Sequence, residues 1–355
     1  MLYNNFSLKD KNTFGFNIFA KKYFEYETEG ELIGFLLENR QKTEKLLHIG
    51  AGSNLLFLGD FDGTVLHSKI NAFCHCGLDP QSIENQLRTI AVQPRNDGDN
   101  DNVFVRVGAG VVFDDFCAEM VENNFGGVEN LSLIPGEVGA AAVQNIGAYG
   151  AEIANIIESV ETIEIKTAQK RIFSVSECNY GYRESVFKTT HKGEFIVTAV
   201  NFILSTKPKL NLEYGALKNA LQNVENPTIA DVRRAVISIR ESKLPNPKIL
   251  GNAGSFFKNP YCCKTHFLSL QKDFPSISYY AVNDEIVKLS AAWLIEQCGL
   301  KGAKIGGAQV YENQPLVLVN IGNATPQDIA QLSAEIQRRV KEKFSIELET
   351  EVNFI

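Results

Sequence analysis

Positive charge is in short supply in this chain, and a long apolar run is missing. Its 355 residues carry 35 Lys and Arg against 42 Asp and Glu, a net charge of −7. That balance argues against a nucleic-acid partner or an anionic membrane surface, although a local basic pocket is compatible with it. No stretch of 18 apolar residues occurs, so no transmembrane helix is expected. The opening MLYNNFSLKDKNTF has no basic-then-apolar export pattern, and a cytoplasmic protein is expected. The seven cysteines (74, 76, 117, 178, 262, 263 and 298) are odd in number and scattered, which reads as reduced thiols. CxxC is missing too. Cys74-His75-Cys76 and Cys262-Cys263 with His266 lack zinc-site spacing, so no metal is expected. Internal repeats and low-complexity tracts are not evident.

What is present is an ordinary globular composition, 44% hydrophobic and 22% charged, in a chain long enough for two or three domains. One stretch departs from it. Residues 131–150, LSLIPGEVGAAAVQNIGAYG, are too rich in glycine and alanine for ordinary core. Small residues let a backbone approach a flat ligand closely. Successive N–H groups in such turns make an anion nest suited to a diphosphate. Pro135-Gly136 marks a tight turn at its start. A second donor-rich turn, Gly50-Ala51-Gly52-Ser53-Asn54, follows a strand expected at 45–49. It lacks the third glycine that opens a helix in a dinucleotide fingerprint. Alone, residues 131–150 still leave a glycine-rich surface loop as the alternative, and the 50–54 segment reads equally as a plain hairpin-type turn.

Periodicity organises the rest. Leu32, Ile33, Phe35, Leu36 and Leu37 predict a helix over 31–39. Strands are expected at 64–70 and 103–107. Residues 71–102 show neither period and end in PRNDGDNDN; they read as an inserted surface loop, with a partner-binding element as the alternative. Apolar positions 112, 113, 116, 117, 120 and 121 predict a helix over 111–123. Residues 156–166 and 171–175 suggest a hairpin, and 195–204, apolar on both faces, a central strand. A second unit is expected after Pro208. It has helices at 228–243, capped by Thr228 with Asp231, and at 287–298, ended by Gly299. A strand at 316–321, a helix begun by Thr325-Pro326 and a strand at 346–355 complete it.

Four ordered motifs then carry a resemblance: IPG with QNIGAYG at 134–150, YRESVFK at 182–188, GNAGSFFKNP at 251–260 and LETEVNF at 348–354. Together they resemble the UDP-N-acetylenolpyruvoylglucosamine reductases, the MurB family, over nearly the whole chain except 71–102. Ala142 stands where that family often has proline, and the 71–102 connection is longer than usual. The resemblance implies an α+β fold. An FAD-binding domain of two α/β subdomains (of the PCMH/VAO type) at 1–205 would precede a smaller α+β substrate-binding domain at 206–355. It also implies non-covalent FAD, NADPH as reductant, and conversion of enolpyruvyl-UDP-N-acetylglucosamine to UDP-N-acetylmuramate for peptidoglycan. A monomer is expected, with a small-molecule substrate and neither nucleic acid nor membrane as partner.

Matched residue by residue, Arg183, Ser255 and Glu351 would be catalytic. Arg183 would hold the substrate carboxylate and offset enolate charge, Ser255 would give the C2 proton, and Glu351 would help polarise the carboxylate. Gly50, Gly52, Ser53, Asn54, Ile134, Pro135, Gly136, Gly139, Gln144, Asn145, Gly147, Ala148 and Tyr149 would hold FAD. Tyr214, Lys243 and Asn259 would contact the uridine diphosphate. Two other classes share some of these features. An FAD oxidase on the same domain would leave the Ser255 and Glu351 motifs unexplained. A non-catalytic flavin or nucleotide-sugar binding protein would be expected to have lost one of the three catalytic positions.

Overall fold

The computed structural model describes residues 1–40, 44–74 and 101–355. The chain forms two compact units. One comprises Met1–Phe6, Lys21–Ala51 and Asp62–Arg240; the other comprises Ser7–Ala20, Gly52–Phe61 and Glu241–Ile355.

The first unit contains two sheets. In the four-stranded one the order is Leu2–Ser7, Phe19–Tyr26, Phe61–Ser68, Lys45–Ile49, and the last two strands run parallel with Ile49 opposite His67. The Glu29–Asn39 helix buries Leu32, Phe35 and Leu36. They join Phe24, Tyr26 and Leu66 of the neighbouring strands in one apolar cluster. The Thr28 hydroxyl accepts from the Glu31 N–H at 3.2 Å and so satisfies one of the helix's orphan donors.

The five-stranded sheet has the order Lys170–Ser174, Ile157–Glu164, Phe195–Ser205, Asn102–Gly108, Phe73–Cys74, antiparallel throughout. Phe195–Ser205 lies at its centre, and residues 196–202 are all buried, as their two-faced apolar run requires. The Phe113–Glu122 helix lays Phe113, Phe116, Cys117, Met120 and Val121 into the core. Phe116 stacks on Phe202 at 4.7 Å between centroids. Burying each such side chain is worth about 1.5–3 kcal/mol, enough to fix the helix on the sheet. This pair of helix-covered sheets is the α/β doublet expected for the first part of the chain.

The second unit pairs Gly251–Ser255, Val317–Asn320, Ala308–Val310 and Lys304–Ile305 in that order, antiparallel. The Pro326–Phe344 helix packs on this sheet through Ile329, Leu332, Ile336, Val340 and Phe344. Its Thr325–Asp328 capping box is complete. Segment 7–20 is stitched into this unit. Asn12 closes its own loop on the Leu8 and Phe16 carbonyls, the Thr13 carbonyl accepts from the Asn252 N–H, and the Phe14 carbonyl accepts from the Asn320 amide.

Three expectations change. The helix expected at 287–298 is a strand, Ile286–Leu289, followed by a helix, Ala291–Gln297. Val287 and Leu289 point inward and pair with Ala281 and Tyr279, while the Ser290 hydroxyl caps the helix from outside. Of the strand expected at 346–355, only Asn353–Phe354 forms a ladder, parallel to Leu55–Leu56. Ile346, Leu348 and Val352 still alternate inward. Of the segment read as the 71–102 insertion, Phe73–Cys74 and Asn102 belong to strands. Residues 75–100, with His75 and Cys76, lie outside the described residues.

Candidate active site

Within the first unit the glycine- and alanine-rich segment is zipped onto residues 109–113, which follow the Asn102–Gly108 strand. The Gly136 carbonyl accepts from the Phe113 N–H at 3.0 Å, and the Val138 and Gly139 N–H groups donate to Val111 and Ala109. Residues Val138–Val143 then form one and a half turns of helix rather than an open nest. Gly139 is needed there because a Cβ would come within 2.7 Å of the Ala109 Cβ. Pro135 is exposed and Ile134 half-buried ahead of it. Gln144 ends the helix, and Gly147-Ala148 pairs back on Ala151-Glu152.

Backbone conformation in this region is unusual. Leu133, Asn145, Tyr149 and Arg183 all have positive φ, between 45° and 59°. Each non-glycine residue held there costs on the order of 1 kcal/mol or more, and such residues concentrate at functional sites. Asn145 is fully buried. Its amide donates to Glu152 Oε2 and to the Gly181 carbonyl, and its Oδ1 accepts from the Ala154 N–H. Its side chain therefore ties the segment to the loop that carries Arg183. The Arg183 guanidinium donates to the Asn145 carbonyl at 3.3 Å and to the Gly147 carbonyl. Other motif residues hold this loop: Ser185 donates to the Val143 carbonyl, and Lys188 Nζ to the Arg183 carbonyl at 3.0 Å.

Tyr149 meets Tyr214 edge-on at 5.2 Å. Burial pushes the Tyr149 phenol up, while the neighbouring Arg240 cation pulls the other way. Arg240 also donates to the Leu133 carbonyl. Asp114 accepts from the Leu133 N–H and from both terminal nitrogens of Arg233. The entrance to the glycine-rich segment is thus braced by an ion pair and a half-buried arginine, none of which the sequence reading singled out.

The 50–54 turn carries the chain out of one unit and into the other. Gly50 belongs to the first, where a Cβ on it would stand 3.2 Å from both the Ala140 Cβ and Glu137 Oε2. Gly52 belongs to the second. Its φ is +68°, and a Cβ there would lie 1.9 Å from the Lys11 carbonyl oxygen, so only glycine is accommodated. Ser53 is half-buried beside it.

The second unit brings Asn54, Ser255 and Glu351 together through the main chain. The Asn54 amide donates to the Glu351 carbonyl at 3.1 Å, and the Glu351 N–H donates to the Phe256 carbonyl at 2.8 Å. Ser255, immediately before Phe256, is exposed at the end of its strand, opposite Val317. Phe256 and Phe257 are buried and fix its position. Asn259 accepts from the Ala291 N–H at 2.9 Å, and Lys243 is exposed at the end of the Ile229–Lys243 helix.

Comparison with known proteins gives this arrangement a family. Residues 246–355 match the UDP-N-acetylenolpyruvoylglucosamine reductase C-terminal domain, and residues 20–176 match an FAD binding domain. A relative named UDP-N-acetylenolpyruvoylglucosamine reductase from Flavobacterium johnsoniae is 45% identical over 355 residues, covering 99% of each chain. Another of the same name from Bacteroides fragilis is 44% identical over 350 residues, again with 99% of each covered. The chain belongs to the UDP-N-acetylenolpyruvoylglucosamine reductase family. Among solved structures, the reductase from Thermus caldophilus aligns over 100% of this chain and 99% of its own at a TM-score of 0.65. At 23% identity that likeness speaks for the fold.

The protein is accordingly a flavin-dependent oxidoreductase of peptidoglycan precursor synthesis that uses FAD, with NADPH as the family's reductant. Close packing of the chain on itself explains two of the glycines named for FAD: a Cβ on Gly50 would stand 3.2 Å from the Ala140 Cβ and Glu137 Oε2, and one on Gly147 would come within 2.8 Å of the Ala151 carbonyl and 3.0 Å of Arg183 Nη1. Among the described residues no three His, Cys, Asp or Glu side chains gather as a metal site, and no helix is long and apolar enough to cross a membrane.

Proposed function

We propose that the family reaction is carried out here by Arg183, Ser255 and Glu351. Bound FAD supplies the redox step between NADPH and the enolpyruvyl double bond. The chain's own residues bind, polarise and protonate. Charge that accumulates on the C2–carboxylate unit as an enolate is offset by Arg183, whose planar fork suits a carboxylate. Ser255 gives its proton to C2. A serine hydroxyl is a weak acid, so it acts only on a strongly basic carbon such as that enolate. Glu351 lies beside Ser255 in the chain's own hydrogen bonding, through Phe256, and helps to bind or polarise the substrate carboxylate. The observation that carries the assignment is the seat of Arg183: a strained, positive-φ arginine with its guanidinium on two carbonyls of the glycine-rich segment.

The 134–149 segment and the 50–54 turn would hold the cofactor, with Asn145 acting through its main chain. Tyr214, Lys243 and Asn259 would meet the uridine diphosphate. On this reading the change from cofactor to substrate role comes after residue 205. We further read the protein as a cytoplasmic monomer with no nucleic-acid partner, which its net charge of −7 favours. The test is the visible spectrum of the purified protein, followed anaerobically. A yellow band that bleaches with NADPH and returns with enolpyruvyl-UDP-N-acetylglucosamine is expected. Return only with oxygen would make it an oxidase, and a colourless protein that takes up no FAD would refute the cradle.

A further inference from the structure

Glu137 follows Pro135-Gly136, and its carboxylate is not spent where its position suggests. It precedes the Val138–Val143 helix in extended backbone, yet makes no side-chain cap bond. Instead the side chain is buried, and Oε1 meets His67 Nε2 at 2.9 Å, across 70 residues of sequence. His67, on the Phe61–Ser68 strand, is 2% exposed. Its Nδ1 faces the Tyr23 hydroxyl at 2.7 Å and Glu25 Oε2 at 3.2 Å, both on the Phe19–Tyr26 strand.

The Tyr23 hydroxyl also donates to Glu25 Oε2 at 3.2 Å, and burial together with the Glu25 carboxylate pushes that phenol's pKa up. Nε2 faces a carboxylate oxygen, which only accepts, so it carries an N–H and donates to Glu137. The other carboxylate oxygen, Oε2, stands 3.2 Å from where Gly50 would carry a Cβ. Phenol, imidazole and carboxylate thus form a buried column, running from two strands of the four-stranded sheet to the first glycine of the donor-rich turn.

We propose that His67 and Glu137 are a positioning pair that sets the Gly50 turn against the glycine-rich segment for the cofactor's diphosphate. This rests on the family reading of those two segments as the FAD cradle. A buried carboxylate beside a dianion's seat repels it unless its lone pairs are directed elsewhere. The imidazole donor takes one oxygen and fixes the rotamer of the other. Without it the carboxylate is free to swing into the diphosphate's space, and the turn loses its backing.

The test measures dissociation constants of FAD, ADP and riboflavin for the full chain, stripped of cofactor, by fluorescence and competition. His67→Leu is expected to weaken FAD and ADP at least tenfold and to leave riboflavin within about threefold. His67→Gln keeps an N–H for Glu137 and is expected to restore FAD to within about threefold of the wild type. If His67→Leu fails to fold by circular dichroism, His67→Phe, which keeps a ring but removes the donor and leaves the Glu137 carboxylate in place, carries the same expectation. Wild-type-like FAD and ADP binding in His67→Leu or His67→Phe would overturn the proposal, as would equal losses for all three ligands or no rescue by glutamine. A wild-type chain that bound no FAD would instead overturn the cradle reading, and the pair's role with it.

Discussion

Replacing Ser255 by alanine separates chemistry from architecture. Its side chain is exposed, its strand is held by main-chain pairing with Val317, and its neighbours Phe256 and Phe257 supply the burial. Losing the hydroxyl should change folding stability by no more than about 0.5 kcal/mol. A positioned general acid is worth about 10²–10⁴ in rate, or about 2.7–5.4 kcal/mol of barrier at 1.36 kcal/mol per decade. Bleaching of the visible band by NADPH in stopped flow should therefore keep its wild-type rate. Return of the band on adding the enolpyruvyl substrate should slow by about 100- to 10,000-fold. Ser185→Ala is the control of opposite kind. That hydroxyl is buried and donates to the Val143 carbonyl, so its loss should lower stability by about 1 kcal/mol and spare the proton transfer. A wild-type rate of band return in Ser255→Ala would refute the assignment.

Arg183→Lys removes the fork that spans the Asn145 and Gly147 carbonyls. kcat should fall by about 10²–10³, and a steady-state kcat within twofold of the wild type would count against its role. Gly52→Ala forces a Cβ to within 1.9 Å of the Lys11 carbonyl at a φ of +68°. The conformation alone costs about 1–2 kcal/mol, so a thermal melt should show a lower Tm, and an unchanged Tm would refute the clash. Asp114 bears on pH. Burial pushes its carboxyl up, but hydrogen bonds from Arg233 and the Leu133 N–H, with the charges of Arg233 and Arg240, hold it below the usual value. A depressed carboxyl adds stability that is present above its unfolded pKa of about 3.9 and is lost as pH falls through the lower folded value. Asp114→Asn should be less stable than the wild type in urea at pH 7, with the gap closing below about pH 4. A gap that stayed constant from pH 7 to pH 3 would sink the account.

Local signals were the legible ones. The stripe Phe113, Phe116, Cys117, Met120 and Val121, the Thr325 cap and the two-faced run at 196–202 each settle their element within a few residues of chain. The 287–298 segment misleads because Val287 stands four and seven residues before Ala291 and Leu294, the spacing of a helical stripe, while it also begins a two-residue alternation with Leu289. Ser290 as a cap was the available sign that the helix starts later. At 346–355 the alternation is real, but backbone pairing with 256–258 stops at two bonds, Glu351 N–H to the Phe256 carbonyl and Lys258 N–H to the Glu349 carbonyl, around a lone Phe257–Thr350 bridge. What stayed hidden is what distance in sequence hides. The Asn54–Glu351 bond spans 297 residues, and the His67–Glu137 contact spans 70. Polar partners that far apart leave no period to read. Thr13 and Phe14, unremarkable in sequence, turn out to bond to Asn252 and Asn320.

The interleaving of segments has a consequence for synthesis. The second unit is built from residues 7–20, 52–61 and 241–355, so no single cut releases it. A fragment starting at residue 246 would lack the carbonyls of Thr13 and Phe14 that receive Asn252 and Asn320. It would also lack Leu55–Leu56, beside which Asn353–Phe354 lies. On the ribosome the delay is long. At about 5–20 residues per second, segment 7–20 emerges roughly 15 to 60 s before Asn320, which bonds to Phe14, exists. Until then these early residues have no settled place in their own unit, and a chaperone that shields them would be acting on a pause written into the order of the chain.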